Sequence, residues 1–177
     1  MNRTRTIRTF RQKTIDYVNP DLAEIDILDI AQGLANENRY VGQTPYPYSV
    51  AQHSVLASWA APGPLQFETL MHDAHEAYTK DIPSTMKPLL PGYRVVERTM
   101  ENAVREKFGL QPAPMLPAVK DVDTRMLVTE AQAFGFDWWP CYNVEPYPDI
   151  PITEWTWREA RQCFLDRFHQ LTRDKWA

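Results

Sequence analysis

The sequence predicts an all-α protein, and three observations predict it. Apolar residues recur at three- and four-residue spacings through several long segments, the period of a helix packed on one side. Alternating apolar and polar runs, the mark of half-buried strands, are absent. The 15 prolines gather between the periodic segments, where they do not remove helical hydrogen bonds. Together these give about six helices joined by long proline-rich loops, in one compact domain over residues 1–177.

Each element follows in order. After a basic start, "NPDLAEIDILDIAQGLANENRY" sets Ile25, Leu28, Ala31, Leu34 and Ala35 on one helical face. "TPYPYS" is a proline-broken loop whose Ser49 is placed to cap the next helix, "VAQHSVLASWA". "APGP" interrupts the chain, and "LQFETLMHDAHEAYT" resumes it as one helix. "DIPSTMKPLLPGY" reads as a loop over the surface or over a site. From about Tyr93 to Phe108, Val96, Met100, Ala103, Val104 and Phe108 form an amphipathic stripe stopped by Gly109. "PAPMLP" leads into a helix from Leu116 to Phe134. "GFDWWPCYNVEPYPDIPIT" is an aromatic loop, and a last helix runs from about Glu154 to Leu171 with Trp157, Arg161, Phe164, Phe168 and Leu171 along one side.

Composition narrows the function. With 44% hydrophobic residues the chain can bury one good core. A net charge of -4 offers no basic excess to neutralise a phosphate backbone, so stable nucleic-acid binding is not expected. A small anionic ligand needs only a local group of cations. No apolar run approaches the ~20 residues of a bilayer span, and the basic N-terminus lacks a following hydrophobic segment, so no membrane association and a cytoplasmic location are expected. Cys141 and Cys163 form no CxxC pair, so any metal would be held by histidine and carboxylate.

The stretch "LMHDAHEAYTKD", Leu70 to Asp81, carries that chemistry. On a regular helix His72 and Glu76 stand one above the other, with Asp73 about 100° round from His72, so all three can face one cavity. Leu70, Met71, Ala74 and Ala77 flank them with apolar surface, where an ionised carboxylate is costly unless paired or bound to a cation. A lone His-Asp pair on a helix is more often a solvated face. Two further residues change that balance: His53 on the preceding helix and Asp123 in "AVKDVDTRML", each among apolar neighbours. Two histidines and two aspartates from three helices would make a mixed nitrogen and oxygen site for a divalent ion, with manganese, cobalt, zinc, magnesium, nickel and iron suited in different degrees. HExxH fails because Thr79 stands where the second histidine would be. His75 points well away from Asp73 on a regular helix and reads as structural. Trp138 and Trp139 could stack on a base, but a loop so rich in tryptophan and proline more often packs against the core or a neighbouring subunit.

The residues resemble the HD-domain metal-dependent phosphohydrolases. "DIAQGLANENRYVGQTPYPYSVAQHSVL" followed by "MHDAHEAYTKDIPSTMK" is similar to the 5'-deoxynucleotidase branch and to the related phage dATP triphosphohydrolases. The likeness runs from about Asp29 to Glu130, within a recognisable core of about 25–135. It implies a compact helical HD-domain fold, with His53, His72, Asp73 and Asp123 holding the ion. Asp123, three residues after Lys120, matches the family aspartate, and Asp121 is then a solvated neighbour. The resemblance further implies that Glu76 assists the attacking water or its proton transfer and that Arg39 holds phosphate. Tyr40 stands where an aromatic packs against the sugar or base, a position at which the deoxynucleotidases carry tryptophan. Thr79, Asp81 and Lys87 match positions around the nucleotide, and Lys80 replaces a common glycine, adding positive charge near the site. A homo-oligomer is implied, as is a host-cytoplasm location if the chain is phage-encoded.

The expected chemistry is metal-assisted hydrolysis of a nucleotide, implied to be a 2'-deoxynucleotide, with no covalent enzyme intermediate. A monophosphate would give nucleoside and phosphate, a triphosphate nucleoside and triphosphate, and both remain open. Two rivals are a catalytically silent nucleotide-binding regulator, which the full set of ligands disfavours, and an oligonucleotide phosphodiesterase, which would want a wider basic groove.

Overall fold

The computed structural model describes residues 5–173, so the first four residues of the basic start lie outside it. Among the described residues seven α-helices follow a small hairpin: α1 Ile27–Ala35, α2 Val50–Ala60, α3 Gln66–Met71, α4 Glu76–Thr79, α5 Pro91–Phe108, α6 Pro117–Ala133 and α7 Trp157–Thr172. The architecture is predominantly helical, as the periodicity predicts. The hairpin is a correction to the expected absence of strands: β1 Thr6–Arg8 pairs antiparallel with β2 Thr14–Asp16, with Ile7 opposite Ile15. Each strand has three residues, too few to show an alternation, and Ile15 alone sinks fully into the core.

Helix ends carry their expected chemistry. Ser49 Oγ accepts from the Gln52 amide at 3.1 Å. Thr156 and Glu159 form a reciprocal capping box, so α7 starts after Thr156 rather than at Glu154. Pro91 sits in the first turn of α5, where a missing N–H does no harm, and Gly109 at φ 63° ends the helix in a left-handed cap.

Helix α2 is the centre of the fold. Every residue from Val50 to Ser58 is buried, and α1, α3, α6 and α7 pack around it. A helix enclosed on all sides has no polar face to spare. Two of its polar side chains meet protein partners: Gln52 Nε2 donates to Thr153 O at 2.7 Å, and Ser58 Oγ accepts from Arg167 Nε at 3.0 Å. His53 lies in the middle of it.

The predicted single helix of residues 65–79 is divided. Between α3 and α4, residues 72–75 keep right-handed helical dihedrals but tighten to three-residue hydrogen bonding, Ala74 N to Met71 O and Glu76 N to Asp73 O. Helix α4 is fixed by its approach to α1. A Cβ added at Gly33 would lie 2.8 Å from the Cβ and carbonyl oxygen of Ala77, so only glycine admits this contact. Among the described residues no helix is long and apolar enough to cross a membrane.

Candidate metal centre and its cavity

Two helices and the turn between α3 and α4 deliver four ligand-type side chains to one point. His53 comes from α2, His72 and Asp73 from the tightened turn after α3, and Asp123 from α6; one ligand atom of each lies within 4.8 Å of all the others. The two histidine Nε2 atoms stand 3.4 Å apart. Asp123 Oδ1 lies 3.3 Å from His53 Nε2 and 3.6 Å from His72 Nε2, and Asp73 Oδ2 is 3.0 Å from His72 Nε2. Asp121 is exposed.

The other ring nitrogens explain the orientation. His72 Nδ1 donates to the Thr69 carbonyl at 2.6 Å, and His53 Nδ1 to Glu130 Oε1 at 2.5 Å. Burial pushes the Glu130 carboxyl up, but Arg39 and His53 more than reverse it and keep it ionised, so it can only accept. In their neutral forms both rings therefore turn an Nε2 lone pair toward the cluster. Two such nitrogens and two carboxylates need a proton or a shared cation between them. Burial opposes protonation of His72, yet Asp73 and Asp123 raise its pKa well above the ordinary value, so the cluster draws positive charge. Two nitrogens bound ~2.1 Å from one ion lie about 3.0–3.4 Å apart, so the donor set fits a divalent metal.

Glu130 was not singled out by the sequence and is the hub behind the site. It is fully buried, and each carboxylate oxygen takes two donors: His53 Nδ1 and Tyr48 OH (2.9 Å) on Oε1, Arg39 Nε (3.2 Å) and Tyr40 OH (2.7 Å) on Oε2. Such outer partners fix ring orientation at metal sites. Asp123 is held likewise, its Oδ2 accepting from Lys120 Nζ at 2.6 Å.

Arg39 and Tyr40 reach the site through unusual backbone. Tyr40 and Val41 adopt left-handed dihedrals, φ 56° and 55°, followed by Gly42 at φ 72°. For a β-branched residue this is strained, and strain of this kind persists only where surrounding bonds over-determine it. Here Arg39 N bonds Tyr48 O at 2.9 Å and Val50 N bonds Glu37 O at 2.9 Å, closing residues 37–50 into a loop. Arg39 Nη1 then lies 3.6 Å from Asp73 Oδ2.

A cavity of about 880 Å³ opens onto the cluster. Arg39, Tyr40, His72, Asp73, Glu76, Asp81, Lys87 and Asp123 line it. Glu76 is buried, and its Oε2 has no hydrogen-bond partner among the described residues. Burial, together with Asp73 and Asp81, pushes its carboxyl well above the usual carboxylate range. Burial likewise raises Asp81, with Arg39 opposing. Lys87 Nζ is paired with Glu97 Oε1 at 2.6 Å.

Two predicted nucleotide positions stand apart from the cavity. Thr79 is buried, with Oγ1 donating to the His75 carbonyl at 3.2 Å of its own helix. Lys80 projects outward, 66% exposed, and pairs with Glu37. Its backbone at φ 80°, ψ 150° occupies a region natural to glycine. Two residues read as structural do line the cavity. The tightened turn brings His75 round to the wall, and Trp138 reaches it from the loop after α6.

No protein-family model matches the chain. It is 40% identical over 173 residues to the uncharacterized protein YfdR of Escherichia coli strain K12, across 94% of this chain and 95% of that protein. It is 33% identical over 186 residues to an uncharacterized protein of Rhodobacter capsulatus, again across 94% and 95%. At that identity and coverage the chain belongs to the family of YfdR.

Proposed function

We propose that this protein is a metal-dependent phosphohydrolase of the HD-domain type that removes phosphate from nucleotides, with 2'-deoxynucleotides as the substrate class. The observation that carries the reading is the convergence of two histidine Nε2 atoms and two carboxylates beside a cavity of ligand size. His53, His72, Asp73 and Asp123 would hold the ion. When bound there, a divalent cation lowers the pKa of water from ~16 toward ~7 and draws charge from a phosphoryl oxygen.

The remaining steps belong to the chain. Arg39, anchored through Nε on Glu130, presents Nη1 beside the cluster and holds the phosphate oxygens. Glu76 is placed to accept a proton at Oε2 as water attacks phosphorus, and burial beside Asp73 and Asp81 raises its affinity for that proton. Tyr40, with its hydroxyl bound to Glu130, presents its ring to the sugar.

The charge balance favours a monophosphate over a triphosphate. Each cation on the cavity wall already faces a carboxylate: Arg39 faces Glu130 and Asp73, Lys87 faces Glu97, and Lys120 faces Asp123. Lys80, the residue that would add charge for a longer phosphate chain, turns outward.

The test is release of phosphate and triphosphate from deoxy- and ribonucleoside mono- and triphosphates by stripped protein given manganese, cobalt, magnesium or zinc. Phosphate release from deoxynucleoside monophosphates, lost in His72→Ala and Asp73→Ala, is the expected result. Silence across the panel with ion and nucleotide still bound would leave a binding regulator instead.

A further inference from the structure

The cavity wall differs in character along its length. Near α5 it carries His75, Lys87, Glu97 and Glu101. Beyond Lys120 and Asp123 on α6, Leu127 and, from the loop after the helix, Trp138 and Tyr142 leave the far part of the wall without charge. Trp138 and Tyr142 stay 37% and 40% exposed although they line a cavity. A tryptophan offers ~150–250 Å² of surface, so leaving it open forgoes a large burial gain.

Trp138 is also rigidly backed. Its ring stacks on Phe136 at 5.7 Å and 22°. Phe136 in turn packs on Tyr40 at 5.4 Å and on Phe134 at 6.2 Å. The series thus rises toward the cavity, meets Tyr142 at 5.9 Å beyond Trp138, and leaves both of these rings more than a third exposed there. Asp123 and Leu127 stand one helical turn apart on α6, so this wall runs from the metal cluster toward Trp138.

We propose that Trp138 is the platform on which the nucleotide base stacks, so that the base extends the aromatic series while the phosphate lies at the cluster. The assignment rests on the nucleotide reading of the same cavity. It makes recognition tolerant of base identity, because every base has a π-face.

The test measures binding in the Glu76→Gln protein, which keeps every metal ligand, using 2'-deoxyadenosine 5'-monophosphate and 2-deoxyribose 5-phosphate. Adding Trp138→Ala should weaken the nucleotide about 5- to 100-fold and leave the sugar phosphate unchanged, with Trp138→Phe restoring most of the loss. Equal binding of the two probes before substitution, or an equal effect of Trp138→Ala on both, would overturn the assignment. If the binding pattern holds while wild-type protein releases no phosphate with any ion, the hydrolase reading fails and the stacking site stands.

Discussion

Replacing Glu130 by glutamine tests the arrangement behind the His-Asp cluster with almost no change in shape. Four donors converge on this carboxylate, two on each oxygen, and Glu130 itself is fully buried. An amide keeps one acceptor oxygen and turns an NH₂ toward the other pair. If that pair is Arg39 and Tyr40, the tyrosine hydroxyl can rotate to accept, but the guanidinium loses its nearest anion. If it is His53 and Tyr48, the His53 ring must change tautomer and bring a proton onto Nε2. One buried donor left unpaired costs about 1–3 kcal/mol, and breaking a buried ion pair about 3–5 kcal/mol. Asp73, 3.6 Å from Arg39, recovers part of the second loss, so a net destabilisation of about 2–5 kcal/mol is expected. Metal affinity should fall about 10- to 100-fold, as for other outer partners of ligating histidines. Urea unfolding with excess chelator reads the first effect, and calorimetric titration with cobalt or manganese the second. A variant with unchanged urea midpoint and unchanged affinity would show that Glu130 does not orient His53.

Three further outcomes follow from the same structure. Gly33→Ala should lower the urea midpoint: the new methyl meets Ala77 at 2.8 Å, and overpacking of about 1–3 kcal/mol exceeds the ~1 kcal/mol gained in helix propensity. Lys80→Gly should raise stability by roughly 1 kcal/mol, because relief of strain at φ 80° outweighs an exposed ion pair and the added freedom of the unfolded chain; a fall in midpoint would mean that the Lys80 side chain holds more than Glu37. The carboxyls of Asp16, Glu24 and Glu159 are held below their ordinary values, chiefly by hydrogen bonds from the Val18 amide, the Thr14 amide and the Thr156 side chain. Their stabilisation is therefore present above the unfolded values of 3.8 and 4.5 and is lost as pH falls through the lower folded ones. Melting curves between pH 3 and 7 should show this acid loss, and Glu24→Gln should reduce it; an unchanged acid limb in that variant would place the loss elsewhere.

The helices were legible because their apolar period is long and their ends carry Ser49 and Gly109; the start of α5 at Pro91 was not, since the proline reads as part of the loop before it. The metal-type residues were legible by chemistry, since His53, His72, Asp73 and Asp123 are costly among apolar neighbours unless something compensates them. Glu130 gave no such signal: "LVTEAQA" reads as an ordinary helix, and its importance arises only when residues 39, 40, 48 and 53 meet it in space. His75 reaches the cavity wall because the turn tightens below 3.6 residues per turn, with no glycine or proline to announce it. Trp138 sits in a loop whose path no periodicity describes. At Lys80 the charge drew attention, whereas the informative property was a backbone conformation borrowed from glycine.

The enclosure of α2 has a consequence on the time axis. A helix wrapped on every side exposes its amides only when the whole domain opens, so its hydrogen exchange should be among the slowest in the molecule. His53 is fixed in that slow region, whereas Asp73 and Asp123 are partly exposed at the cavity. Capture and loss of an ion would then be paced by rotation of two carboxylates, quick events on a floor that hardly moves.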